Sequence, residues 1–115
     1  MKLITAIIQP DKLGAVQKAL EKAGVSGLTQ SFVQGFGNQK GYTESYRGKI
    51  VKVNIIDKVK IEVAAKTKDV KTIVEAIVTS ARSGKKGSTG DGKIFITDIN
   101  DVIRIRTGER GEDAI

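Results

Sequence analysis

The chain has 115 residues and a formal net charge of +7, from 20 Lys and Arg against 13 Asp and Glu. Cysteine and histidine are both absent, which excludes disulfides, thiol catalysis, thiolate and imidazole metal sites, phosphohistidine intermediates and histidine acid–base chemistry. The positive balance points to anionic partners such as nucleotides, nucleic acid, acidic metabolites or an acidic protein surface, or else only to lysines that solubilise the surface.

The length reads as a single domain over residues 1–115, with a core modest enough that association with further copies would hide more apolar surface. No charged leader with an apolar core and a small-residue cleavage site is visible. The apolar runs fall far short of the ~20 residues that span a bilayer. The expected compartment is the cytoplasm.

In chain order, residues 2–9 are rich in β-branched types and stop at Pro10, which predicts a buried strand. Asp11 is placed to cap a helix in which Leu13, Val16, Leu20 and Ala23 recur at spacings of three and four, with Gly24 as its stop. Residues 28–36 predict a second strand. Between 59 and 63 the pattern alternates, Val59, Ile61 and Val63 one way and Lys60 and Glu62 the other. A second helix follows on the apolar stripe Val70, Ile73, Val74, Ile77, Val78 and Ala81, with Thr67 or Asp69 near its start. Residues 93–98 and 102–106 read as two more short strands. The order predicts an α+β, ferredoxin-like (βαββαβ) sandwich, with both helices on one face of an antiparallel sheet and its other face in need of cover.

Two connections exceed a simple turn, from about Gly37 to Asp57 and from Arg82 to Gly92, and long loops on a rigid scaffold are where binding residues concentrate. The second contains Gly84, Gly87, Gly90 and Gly92, with Lys85, Lys86 and Lys93. Glycines let backbone N–H groups approach an oxyanion and the lysines add charge. An anion cradle and a flexible connector both remain open. Gly87, Gly92 and Lys93 fit the spacing of a Walker phosphate loop, but Ile94 stands where Ser or Thr should hold magnesium, and the order helix–loop–strand is reversed.

Arg104 and Arg106 are two apart on the predicted last strand, so both guanidinium groups would leave one face roughly 6.5 Å apart, with Ile103 and Ile105 packing on the other. That pair suits a polyphosphate chain or, equally, a charged strand edge in solvent. The loop at 37–56 carries four basic side chains against one acidic, Glu44, together with Tyr42 and Tyr46, the makings of a docking element. No paired carboxylates and no nucleophile–base couple suggest themselves, so an enzyme is not expected. Glu62 reads as a surface ion-pair partner for Lys60.

The blocks Gly35-Phe36-Gly37-x-Gln39-Lys40-Gly41-x-Thr43-Glu44-x-Tyr46-Arg47-Gly48, Lys58-Val59-Lys60-Ile61-Glu62, Gly90-Asp91-Gly92-Lys93-Ile94-Phe95 and Arg104-Ile105-Arg106-Thr107-Gly108-Glu109 closely resemble the PII signal-transduction family. The resemblance spans the chain, including its ending, residues 111–115. It implies a homotrimer of ferredoxin-like subunits that binds ATP or ADP in the clefts between copies. Thr29, Gly37, Asn38, Gln39, Ala64, Gly90, Asp91, Gly92, Lys93, Arg104 and Arg106 stand at its nucleotide positions, the two arginines on the phosphates and Thr29 near the adenine. It further implies that Gln39 helps to ligate Mg2+ on ATP, and that Gln39, Lys40, Gly41 and Lys58 hold 2-oxoglutarate. Residues 37–55 resemble the T-loop, which changes shape with ligand and docks on an ammonium transporter, another transporter or a metabolic enzyme. Tyr46, Arg47 and Lys49 would make that contact, Arg47 as the residue that plugs a pore, and a transporter target would recruit the cytoplasmic protein to the membrane.

Several positions depart from the family pattern. Val51 stands where many members carry a tyrosine that is uridylylated, Lys49 in place of a phosphorylatable serine, Asn38 in place of a basic residue, Ile50 and Asn54 in place of acidic ones, and Asp57 in place of a proline. The glycine-rich loop is about three residues longer than usual for the family. These departures leave a second reading open, an adenine-nucleotide energy sensor that regulates a non-ammonium transporter without a 2-oxoglutarate response. A nucleic-acid module is not expected: with three Phe and two Tyr there is no aromatic-rich strand on which bases could stack.

Overall fold

The computed structural model describes residues 1–36, 42–46, 49–53 and 55–115. Eight main elements follow in order: β1 (Lys2–Ile8), α1 (Leu13–Lys22), β2 (Thr29–Phe36), β3 (Tyr42–Tyr46), β4 (Lys49–Val53), β5 (Ile55–Ala65), α2 (Val70–Ala81) and β6 (Gly92–Asp98). Four strands form one antiparallel sheet in the order β2-β5-β1-β6, and β3 and β4 form a separate hairpin. This is the ferredoxin-like arrangement that the element order predicts, the third long strand lying between the first and the second.

Period-two alternation decides which side chains enter the core. Ile4, Ala6 and Ile8 of β1 and Val59, Ile61, Val63 and Ala65 of β5 all turn to one face and are buried. Val16 and Leu20 of α1 and Ile73, Ile77 and Ala81 of α2 close over them. Spacings of four keep each helical set on one side of its helix. Gly24 ends α1 as expected, at φ +90°, with its N–H donating to Glu21 O and the N–H of Val25 to Leu20 O, a Schellman stop.

The opposite sheet face has no cover among the described residues. Register places Leu3, Thr5 and Ile7, Lys58, Lys60, Glu62 and Ala64, and Lys93, Phe95 and Thr97 on it, and Phe95 is half exposed. Residues on β2 that share this face are exposed or half-buried.

Three expectations need correction. The segment from Gly37 to Asp57 is not one long loop: it contains β3 and β4, and β5 already begins at Ile55. Polarity hides these strands, although Ile50, Val51 and Val53 carry β-branched side chains suited to extended backbone. Residues 102–106 are not a strand. Ile103 makes a single bridge to Arg110, after which Arg104 N–H donates to Glu109 O and Gly108 N–H to Arg104 O, closing a turn. Ile103 and Ile105 are exposed, the latter at 99 %. Alternating side chains make a strand only where a neighbour accepts the backbone hydrogen bonds. Finally, neither helix is capped by a side chain. Single 3-10 turns, Pro10–Lys12 and Thr67–Asp69, lead into α1 and α2, and Asp11, Thr67 and Asp69 make no capping bond.

Candidate functional site

The connection from α2 to β6 is built around one carboxylate. Asp91 accepts hydrogen bonds from Ser83 Oγ at 2.6 Å, Ser83 N at 3.0 Å and Ser88 N at 2.8 Å. The Ser83 hydroxyl above all, then the two backbone N–H groups, hold its carboxyl at about 2 against the usual 3.8. Gly84, Gly87, Gly90 and Gly92 all take positive φ, so the four glycines read from the sequence permit a fold that side-chain-bearing residues resist.

Lys58 reaches the same loop from β5. Its Nζ donates to Gly90 O at 2.5 Å, and the residue is 9 % exposed. Burial lowers its pKa, with the Asp91 carboxylate partly opposing the shift. Lys93 is exposed and takes part in no ion pair among the described residues. Together Lys58, Gly90, Gly92 and Lys93 line a cleft of about 420 Å³ on the uncovered sheet face, beside Gly35 and Phe36.

A second cleft, of about 560 Å³, opens at the other end of the sheet and is lined by Thr29, Glu62, Ala64 and Ile115 among others. Thr29 lies opposite Glu62 in the β2–β5 register. Lys58 and Ala64 stand six positions apart on β5, roughly 20 Å along a strand. The chain leaves the sheet at this second end, where Ile99 N–H donates to Met1 O, and its C-terminal Ile115 returns to line the cleft. Arg104 is anchored there, with NH1 on Glu109 Oε1 at 2.7 Å and NH2 donating to Asp113 O at 3.1 Å. Arg106 lies in the turn that follows.

One chain therefore brings Gly90, Gly92 and Lys93 together with Lys58, and Thr29 with Ala64, but it does not join the glycine-rich loop to the arginine pair. The sequence pattern expects Glu62 to pair with Lys60. Among the described residues it makes no ion pair, and it lines the cleft beside Thr29. Its place opposite Thr29 follows from strand register, which the sequence does not display. Gly37, Asn38, Gln39, Lys40, Gly41 and Arg47 lie outside the described residues, and with them the magnesium and most of the 2-oxoglutarate assignments. Tyr46 and Lys49 are register partners in the β3–β4 hairpin. Among the described residues no group of three or more acidic side chains could hold a metal.

The matching family model covers residues 1–109 and is that of the nitrogen regulatory protein P-II. The chain belongs to the P-II family. Membership makes it a regulatory protein and not an enzyme. It is 54 % identical to a nitrogen regulatory protein P-II of Cereibacter sphaeroides, the alignment covering 100 % of both chains. It is 50 % identical to the nitrogen regulatory protein P-II 2 of Methanothermobacter thermautotrophicus, over 100 % of this chain and 97 % of that one, and 50 % identical to the P-II protein of Azospirillum brasilense over 100 % of both. The P-II chain carries no helix among its described residues that is long and apolar enough to cross a membrane.

The Asp91 geometry carries an acid prediction. A carboxyl depressed on folding contributes stability above its unfolded value, and that contribution is lost as pH falls through the folded value. The loop should stay intact at pH 5 and loosen between about pH 4 and 2. A 13C-detected titration of the Asp91 carboxyl should give a midpoint near 2. A midpoint at the usual 3.8 would show that the Ser83 and Ser88 bonds do not persist in solution.

Proposed function

We propose that this chain is a nitrogen-related signal-transduction regulator, a single-domain homotrimer that binds ATP or ADP between its copies and signals through the T-loop. The observation that carries the reading is the separation of two half-sites, one on the uncovered sheet face and one at the far end of the sheet. The glycine-rich loop with Lys93 suits the phosphates, and Thr29, Glu62 and Ala64 with Arg104 and Arg106 supply the other wall, from a neighbouring copy. Among the described residues, a cleft with a lysine outside any ion pair, a backbone made approachable by glycine and no opposing carboxylate in its lining fits a polyphosphate. Bound magnesium would neutralise phosphate charge, and Gln39 is the residue proposed to help hold it.

The mechanism is a population shift. Nucleotide, with or without 2-oxoglutarate, binds one arrangement of the T-loop better and so exposes or hides the docking surface at Tyr46, Arg47 and Lys49. The target is an ammonium transporter, another transporter or a metabolic enzyme, and the protein is cytoplasmic, drawn to the membrane when a transporter is the target. Nucleic acid is not among the partners.

Lys58 favours the second reading, an energy sensor without a 2-oxoglutarate response. Its ammonium, proposed to hold the 2-oxo acid, already donates to Gly90 O. Calorimetry with ATP, ADP and AMP, then with 2-oxoglutarate in the presence of Mg-ATP, separates the readings. Binding of 2-oxoglutarate only with Mg-ATP supports the nitrogen/carbon sensor. Nucleotide binding alone supports the energy sensor, and no nucleotide binding discards both.

The shared site is tested by mixing subunits. Lys93→Ala and Arg104→Ala should each weaken ATP binding at least roughly tenfold, since each removes a charge-assisted phosphate contact. Unfolded and refolded together at equal amounts, the two variants should regain about one wild-type-like site in four, because random pairing joins an intact loop to an intact arginine that often. No regain would place both residues in one copy's site.

A further inference from the structure

The carboxylate of Asp91 faces inward. Oδ1 takes the Ser83 hydroxyl and Oδ2 takes the N–H groups of Ser83 and Ser88, while the Asp91 N–H itself donates to Ser88 O at 3.1 Å. The cleft is lined by Thr89, Gly90, Gly92 and Lys93, and Asp91 is not among its lining residues. Asp91 lines instead a different cleft, between α2 and β6, next to Arg82. Gly87 is held inside the same ring, where an added Cβ would meet Asp91 Oδ2 at 3.1 Å and the Arg82 side chain at 3.3 Å. A carboxylate turned toward the cleft would repel a phosphate. Turned away, it ties the two ends of the connection together.

We propose that Asp91 is a positioning residue and not a ligand contact: with Ser83 and Ser88 it latches the glycine-rich connection, so that the backbone of Thr89 to Gly92 and the Lys93 ammonium are already presented to the anionic ligand. The proposal rests on the nucleotide-binding reading above. Ser83 stands at the end of α2 and Asp91 at the start of β6, so the latch spans the whole connection between two rigid elements. Ser88 lies at its middle and is drawn to the same oxygen as Ser83 N. Preorganisation of this kind raises affinity by removing the entropy that ordering the loop at the moment of binding would otherwise cost.

The test compares wild type, Asp91→Asn, Ser83→Ala and Ser83→Thr by calorimetry with Mg-ATP and by amide hydrogen exchange of the ligand-free protein. Asp91→Asn and Ser83→Ala should each weaken ATP binding roughly tenfold, the loss expected when a charge-assisted hydrogen bond goes. The Ser83 and Ser88 amides should exchange faster in both variants, and Ser83→Thr, which keeps the hydroxyl, should restore affinity and protection. Wild-type affinity in Ser83→Ala overturns the latch even if Asp91→Asn is impaired, because that pattern marks Asp91 as a direct contact. Unchanged exchange in both impaired variants overturns it equally. If wild type binds no adenine nucleotide, the functional reading fails and the proposal fails with it, an outcome distinct from wild-type binding that the variants leave untouched.

Discussion

Gly92→Ala is expected to destabilise the protein by about 3–5 kcal/mol, enough to leave much of it unfolded at moderate denaturant. Two effects add. Gly92 holds φ +114°, which an L side chain rarely adopts, and a Cβ there would lie 1.7 Å from Ile7 O and 2.8 Å from its carbonyl carbon. Those atoms are backbone of β1, so no side chain can rotate away. Relief requires β1 and β6 to part at the register pair Ile8–Gly92, at the start of the pairing that carries the loop. Urea unfolding at fixed protein concentration measures the loss. Gly27→Ala is the control, because an added Cβ there meets nothing within 4 Å, and it should shift stability by less than about 0.5 kcal/mol. Equal midpoints for Gly92→Ala and wild type would mean that β6 is free to shift away from β1 at this position.

The second large effect is expected in the core. Ile61→Ala should cost about 2–5 kcal/mol and Ile61→Val about 0.5–1.5 kcal/mol, against a total stability of about 5–15 kcal/mol for a domain. Ile61 is fully buried on β5, the strand hydrogen-bonded on both sides, by β2 and by β1. Its side chain lies in the cluster formed with Val16 and Leu20 from α1 and Ile73 and Ile77 from α2. Those elements are fixed by their own hydrogen bonds and can collapse into the space only in part, so a cavity term adds to the lost transfer energy. The midpoint should fall with an unchanged denaturant slope. Association of copies would add a concentration-dependent term, so wild type and variants must be compared at one concentration. A loss below about 0.5 kcal/mol for Ile61→Ala would contradict the packing described.

Much of this architecture is legible in local pattern. The stripe from Val70 to Ala81, the alternation from Val59 to Val63 and the stop at Gly24 each follow from periods of 3.6 and 2 and from the φ that only glycine adopts cheaply. They fail where local pattern meets a missing or hidden neighbour. Ile103-Arg104-Ile105-Arg106 alternates as a strand should, yet among the described residues only Ile103 finds a bridge partner, and the backbone closes a turn instead. The β3–β4 hairpin was obscured by its charge, because its strands pair with each other and not with the main sheet.

By itself the amino-acid sequence determined the composition limits, the element order, the core face of each long element, and the family, through ordered blocks of residues along its length. The tertiary structure alone decided where those residues meet. Asp91 stands in a motif that reads as nucleotide-binding, but three hydrogen bonds turn its carboxylate into the loop. Lys58 reaches Gly90 across 32 positions of the chain. Within one chain the glycine-rich loop and Arg104, both given to the nucleotide by the resemblance, lie at opposite ends of the sheet. The reason is geometric: β6 is an extended strand, and a strand of that length carries its two ends roughly 20 Å apart.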